Sequence, residues 1–301
     1  MPRDWFWSQL LGRRTALVTH SFIAPAEIPP PGLVGLEERW SRLVPVPSTD
    51  GVGRAWHVLD SQNGQERPAE ATLTVLCVHG NPSWSYLWRR VLADAPDGVR
   101  VIAVDQLDMG FSERTGQRRR LATRVDDLCE LTDELDIDGP VVTVAHDWGG
   151  PISLGWALRH RSQLAGTVLL NTSVHQPAGS PAPSVIRLIR SRGVLRRVTV
   201  DTSAFVAGAA AMSHPRLPSD IRAGLAAPYL TSDRRHAIGH FVEDIPLDSQ
   251  HPSAATLDEI AAGLEDLADV PALLLWGPRD QVFSDLYLHD LEQRLPHAEV
   301  H

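Results

Sequence analysis

The residues best placed to do chemistry lie in VVTVAHDWGGPISLGWAL, residues 141–158. An apolar run climbs to His146-Asp147-Trp148-Gly149-Gly150, and a helical pattern leaves the far side. A strand that turns sharply into a helix presents a nucleophile, usually serine, at the tip of the turn. Here the tip residue is Asp147. A carboxylate there can attack carbon and form an ester intermediate. At the N-terminus of the next helix it is expected to keep a low pKa and stay ionised, because the dipole favours an anion. The plainer alternative is that Asp147 only caps the helix 150–164. The glycine pair argues against it, since a plain cap does not require tight packing of the backbone.

Helpers for such a nucleophile are donors that receive a departing anion. Trp148 follows directly; its backbone N–H can point into an oxyanion-type site, and its indole N–H donates without accepting. Asn81 lies in the loop after an earlier apolar strand, where a second donor usually originates. Taken singly, these are a core tryptophan and a turn asparagine; beside Asp147 they read as a pair that binds the leaving anion.

The surrounding elements must bring these residues together. TLTVLCVHG, VRVIAVD, GPVVTVAH and GTVLLNTS read as buried strands, separated by helical patterns in SYLWRRVLADA, RLATRVDDLCELTDELDI and GPISLGWALRHRSQL. Such alternation implies a mostly parallel sheet with helices on both faces. Ahead of it, RLVPVPS and RAWHVLDS flank Asp50-Gly51 and suggest a hairpin. Ligands in such sheets bind beyond the carboxyl ends of the strands. Polar groups collect there: His79-Gly80-Asn81, Asp105, His146-Asp147-Trp148, Asn171-Thr172 and Gly277-Pro278-Arg279-Asp280. Residues 175–255 hold helical pieces and no convincing strand, as a lid would. The expected division is an extension over 1–34, a core over 35–174, a helical cap over 175–255, and the core resumed over 256–301.

Bulk properties narrow the partners. The chain has 301 residues and 43% hydrophobic content, enough for one large α/β domain with an insertion. Its net charge of −9 argues against nucleic acid as the main partner. RRR at 118–120 and the arginines of 187–197 read as charged faces of solvated helices. The two cysteines, Cys77 and Cys129, read as unpaired thiols, which fits a reducing cytosol. No metal-type Cys/His spacing occurs, and the chemistry above needs no cofactor. The N-terminal segment does not read as a signal peptide, and its cluster Trp5, Phe6, Trp7, Leu10 and Leu11 is expected to cover an edge of the domain or to dock on a partner or a membrane surface. No apolar run reaches transmembrane length.

HGNPSWSYLWR, DQLDMGFSER, HDWGG and WGPRDQVF, in that order, resemble the haloalkane dehalogenase branch of the α/β-hydrolase fold, from about residue 35 to the end. The resemblance implies that Asp147 displaces halide from carbon, that Asn81 and Trp148 hold the halide, and that a histidine oriented by an acid activates water to cleave the ester. It assigns the acid to Asp280, because the family's other acid position holds Asn171-Thr172 here. VAHDWGGPISLGWAL, LLNTSVHQP and FVEDIPLD resemble a sister group, the bacterial β-lactone decarboxylases of long-chain olefin biosynthesis. In some actinobacteria these are fused to an acyl-adenylate-forming partner that makes the lactone. That resemblance implies attack by Asp147 on a strained lactone and loss of CO2 to leave an alkene. The leading expectation is therefore a lyase acting on a small apolar β-lactone. A dehalogenase comes second and a generic ester or epoxide hydrolase third; a non-catalytic binding module remains the other class. Epoxide opening usually takes two lid tyrosines, and the lid has only Tyr229.

Two departures from the family stand out. Asp108 replaces a glycine usual in the loop after Asp105; Asp tolerates left-handed backbone better than most residues. And none of the thirteen histidines follows the last strand, which begins near residue 298. His79 and His146 read as structural, and His289, His297 and His301 precede or lie within that strand. The expectation is that the natural protein continues past residue 301 to supply the histidine, and that this chain is impaired in any step needing it.

Overall fold

Apolar runs rich in Val and Ile, whose β-branched side chains favour extended backbone, build eight strands. They are β1 (Ser41–Val46), β2 (Arg54–Asp60), β3 (Leu73–Val78), β4 (Val99–Val104), β5 (Val141–His146), β6 (Leu164–Leu170), β7 (Ala272–Leu275) and β8 (Glu299–Val300). The computed structural model describes residues 23–47, 52–65, 71–177, 183–191 and 193–301. The aromatic cluster at residues 5–11 and the Asp50-Gly51 turn lie outside these residues. The strands form one sheet in the order β1-β2-β4-β3-β5-β6-β7-β8. β2 runs antiparallel to β1 and β4, and every other pairing is parallel. The expected hairpin strands therefore pair, with Ser41 opposite Leu59 and Val46 opposite Arg54.

Successive strand residues face opposite sides, and both sides are covered. Leu76, Val78, Ile102 and Val104 enter the larger core, whereas Leu59, Cys77, Val101 and Ala103 pack on the other face against Trp40, Trp88 and Leu92. Cys77 is thus a buried, unpaired thiol. The α-helices longer than one turn are α1 (Arg89–Ala93), α2 (Leu121–Glu134), α3 (Gly149–Arg159), α4 (Ser184–Ile189), α5 (Ala204–Met212), α6 (Ser219–Ala226), α7 (His236–Glu243), α8 (Ala254–Gly263) and α9 (Asp285–Arg294). Helices α4 to α8 all fall between β6 and β7, with no strand there among the described residues.

Two local expectations are corrected. The helix anticipated over 85–95 opens as a 3-10 turn, Ser85–Trp88, before the short α1. The Ser85 N–H donates to the Asp105 carboxylate at 2.7 Å and the Leu87 N–H to the Trp84 carbonyl at 2.9 Å, which ties the first turn tightly. And of residues 118–120 only Arg118 is on a solvated face. Arg119 is buried, with one nitrogen 2.8 Å from both Asp127 oxygens and another 3.2 Å from Asp108. Arg120 donates to Asp244 at 2.7 Å, and Arg118 pairs with Glu243 at 2.7 Å. All three arginines sit just before α2, where the end of α7 descends on the core and supplies carboxylates.

The same cluster explains Asp108. Its φ is +70°, so the chain here does take the left-handed turn that suits glycine. The side chain compensates: its Oδ1 accepts the Thr115 N–H at 2.6 Å and the Gly116 N–H at 3.2 Å. Substituting Asp108→Gly should therefore destabilise the fold although it relaxes the backbone. Removing one member of a buried charged pair costs about 3–5 kcal/mol, against about 1–2 kcal/mol recovered from the turn. A thermal midpoint several degrees lower is expected; an unchanged or higher midpoint would show that the loop does not rely on this carboxylate.

Candidate active site

The elbow after β5 is built by close backbone approach. Asp147 has φ +53°, uncommon for a residue with a Cβ. Three hydrogen bonds hold it there: the Asp147 N–H donates to the Asn171 carbonyl at 3.2 Å, the Gly150 N–H to the Asp147 carbonyl at 2.9 Å, and the Thr172 hydroxyl to that carbonyl at 2.6 Å. A Cβ at Gly149 would overlap the Val78 carbonyl, and one at Gly150 the Thr172 side chain. The start of α3 is thus pressed between the ends of β3 and β6. Helix capping does not account for Asp147, because the cap position is Trp148 and no side-chain cap bond forms.

The carboxylate is held by backbone. Its Oδ1 accepts the Asn81 N–H at 2.7 Å. The backbone N–H groups of Asn81 and Trp148 both lower its pKa, so both face it. In a serine elbow such groups would serve an oxyanion; here they grip the nucleophile candidate, which leaves side-chain donors for any leaving anion. The expectation of a low pKa is overturned. Burial pushes the Asp147 carboxyl above its ordinary value, and His146 and the two N–H groups pull back less strongly. Gly80 adds to the enclosure, since a Cβ there would overlap the carboxylate.

The expected anion donors lie beside it, one of them already engaged. One N–H of the Asn81 amide goes to the Ile238 carbonyl in α7 at 3.1 Å, which leaves its second N–H. The Trp148 indole rests on Phe241 of α7, ring centroids 5.7 Å apart. Among the described residues its N–H has no hydrogen-bond partner, and the residue lines a cavity with Asp147 and Asn81. Ile238 and Phe241 escaped the sequence reading. No local pattern marks a backbone carbonyl in a distant helix as a support for Asn81.

Asp280 stands beyond β7, its Oδ1 accepting the Val282 and Phe283 N–H groups at 2.7 and 3.0 Å. Asn171 fixes the start of this loop by pairing with Gly277 in both directions, at 2.8 and 3.3 Å. Asp147, Asp280 and His146 line one cavity, and Asp280 adds to the rise of the Asp147 pKa. His79 is structural, as expected: it is fully buried, with Nδ1 2.8 Å from the Gly80 carbonyl and Nε2 accepting the Gln106 N–H. His146 differs, because its Nδ1 is buried with no partner among the described residues. His289 and His297 bond to backbone carbonyls, and no described histidine bonds to Asp280.

Two cavities meet at Asp147. One, of about 350 Å³, runs under Ile186, Phe205, Ile245 and Leu257. The other, of about 590 Å³, runs past Val206, Ala210, Leu217 and Leu225, with His146, Asn171 and Asp280 on its sheet side. Asn81, Asp147, Ala209, Met212, Val282 and Phe283 border both. Among the described residues no cluster of side chains could hold a metal ion, and no helix is long and apolar enough to cross a membrane.

Comparison with known proteins places this architecture. Residues 74–301 match the family described as alpha/beta hydrolase fold. A cis-3-alkyl-4-alkyloxetan-2-one decarboxylase of Xanthomonas campestris is 36% identical over 245 residues, 78% of this chain and 81% of the relative. A haloalkane dehalogenase of Mycolicibacterium smegmatis is 30% identical over 220 residues, 65% of this chain and 66% of the relative. Among solved structures, the haloalkane dehalogenase DpaA of Paraglaciecola agarilytica superposes with a TM-score of 0.76 at 17% identity, covering 92% of this chain and 91% of its own. The dehalogenase DatA of Agrobacterium tumefaciens gives 0.72 at 20% identity, covering 86% and 87%.

The raised Asp147 pKa has a stability consequence. With a folded value above the ordinary 3.8, ionisation is harder in the folded state. As pH rises through this range the unfolded chain loses its proton first, so stability is lost. Asp147→Asn should therefore melt higher than the parent near pH 7, with the gap closing as pH falls toward 3.8. A variant that melts lower at neutral pH would refute the burial penalty.

Proposed function

The chain belongs to the alpha/beta hydrolase fold family, and from that premise we propose that it is a β-lactone decarboxylase with Asp147 as nucleophile. The observation that carries this reading is the pair of cavities diverging from Asp147. A 3,4-dialkyl oxetan-2-one carries alkyl groups on adjacent carbons and needs two apolar arms; a primary haloalkane needs one. We read residues 175–255 as the cap that walls both arms.

The chemistry follows from the groups present. The Asp147 carboxylate attacks the ring carbon that bears the ring oxygen. A C–O ester bond forms, the ring C–O bond breaks, and its electron pair leaves on a carboxylate attached to the neighbouring carbon. The Trp148 indole N–H and the free Asn81 amide N–H receive that anion. The bond between carboxylate and carbon then breaks, and its pair becomes the alkene as the ester C–O bond cleaves. CO2 departs and Asp147 is regenerated. Neither step consumes water or a proton. The raised pKa of Asp147 suits this role, because a poorly solvated carboxylate is less stabilised before attack.

Haloalkane dehalogenation is the second reading, favoured by the same two donors beside the carboxylate. Its alkyl ester carries no neighbouring carboxylate, so it must be hydrolysed by water and a base. Asp280 is the acid we assign to orient that base. Epoxide opening is not supported: the Tyr229 hydroxyl donates to the Ser83 carbonyl at 2.7 Å, accepts the Gly110 N–H at 3.1 Å, and borders neither cavity. The unpaired thiols Cys77 and Cys129 suit a reducing compartment, and we assign the protein to the cytoplasm.

Incubation with a cis-3,4-dialkyl oxetan-2-one and, separately, a 1-bromoalkane decides between the readings. Alkene and CO2 are expected from the lactone, with no oxygen-18 entering the Asp147 carboxylate from labelled water; bromide release without alkene would install the second reading. Asp147→Asn should reduce turnover by about 10⁴-fold or more. Chain-length preference should divide between the arms. Leu257→Trp is expected to raise KM about tenfold for lactones long on one ring carbon, and Leu225→Trp for those long on the other. If both variants penalise the same chain, the two-arm assignment fails.

A further inference from the structure

Arg124 in α2 is buried at 3% exposure, and it takes no part in the chemistry above. Its Nε and Nη1 are buried without hydrogen-bond partners among the described residues. A guanidinium in this position is a poor choice for packing alone, because an apolar side chain of similar length would avoid the desolvation. Its partner is a ring face: the guanidinium carbon lies 3.6 Å from the centroid of Phe241 in α7. Such stacking strengthens when both groups are out of water.

Phe241 is also the ring that backs the Trp148 indole, at 5.7 Å between centroids. One turn earlier, the Ile238 carbonyl accepts the Asn81 amide at 3.1 Å. One helix thus supports both anion donors. It is tied down at each end: Arg235 donates to the Val200 and Tyr229 carbonyls at 2.9 and 2.8 Å, and Asp244 accepts Arg120 and the Ser253 hydroxyl, both at 2.7 Å. Arg124 holds the middle.

We propose that Arg124 is a positioning residue for the anion site: stacked on Phe241, it seats α7 on the core and so sets the Trp148 indole and the Asn81 amide at the geometry that receives the leaving anion. The inference rests on the reading of those two groups as anion donors. Burial lowers the Arg124 pKa to about 10, and the group remains a cation at neutral pH. Asp108, Asp127 and Asp244 favour that charge and Arg119 opposes it. The charge is felt at His79, in the loop that carries Asn81, so the cation stands behind the site.

Bromide is the probe, titrated into the full chain by calorimetry, with Trp148→Phe as the control for the site. Arg124→Met and Phe241→Leu are each expected to weaken bromide binding about tenfold, equivalent to about 1.4 kcal/mol. Arg124→Lys should restore most of the affinity, since an ammonium can also stack on the ring; a packing role alone would give the lysine no advantage over methionine. Should Arg124→Met fail to fold, Phe241→Leu and Arg124→Lys still give the comparison. Parent-like affinity in Arg124→Met or Phe241→Leu, with binding lost in Trp148→Phe, overturns the role of Arg124 and leaves the anion site standing. Absence of bromide binding to the parent, or undiminished binding by Trp148→Phe, overturns the anion-site reading and this inference with it.

Discussion

The left-handed backbone at Asp147 is the constraint on which the rest of the site depends. A residue with a Cβ pays about 1–2 kcal/mol for that conformation. It persists because β3, β6 and α3 leave no other path: the Val78 carbonyl and Thr172 fill the space beside Gly149 and Gly150, and Asn171 and Thr172 bond the Asp147 backbone. Once the chain is fixed this way, the side chain opens onto both cavities, and the Asn81 and Trp148 backbone donors meet its carboxylate. Burial raises the carboxyl pKa more than the donors lower it. The fold thereby keeps a carboxylate poorly solvated but gripped, a condition suited to attack on carbon.

A second set of constraints joins the helices between β6 and β7 to the sheet. Asp108, Arg119 and Asp127 form a buried chain of charge at the start of α2, and Arg120 with Asp244 extends it to the end of α7. Buried ion pairs contribute little net stability relative to apolar packing, but breaking one is costly. Their value here is directional. They fix where α7 lies, and α7 carries the Ile238 carbonyl and the Phe241 ring that touch the Asn81 and Trp148 side chains.

The two reactions weighed for this site share their first bond-forming event and diverge in the intermediate. An ester with a carboxylate on the neighbouring carbon can fragment by itself. An ester with none must wait for activated water. In the reaction we propose, the shape of the space around Asp147 therefore bears on the chemistry as much as the carboxylate does, because it selects which substrate arrives.

Much of this was legible in the amino-acid sequence. The strand–helix alternation from residue 72, the Gly-flanked Asp147 and the polar residues after each strand follow from local rules: period-2 and period-3.6 burial, and the few residues a sharp turn admits. So were Asn81, Trp148 and Asp280 as candidates, because the carboxyl ends of parallel strands share one rim. What the sequence could not supply depends on residues distant in the chain. The Asp147 pKa was read from helix polarity, a local term, whereas burial by the surrounding fold reverses the sign. Arg119 reads as solvated in RRR, and only the arrival of Asp108 and Asp127 makes it a buried pair. The supports from Ile238 and Phe241 lie more than ninety residues from the groups they hold. Local sequence dictates backbone conformation through short-range sterics and periodicity; electrostatic environment and cavity shape are sums over neighbours that only the folded chain brings together.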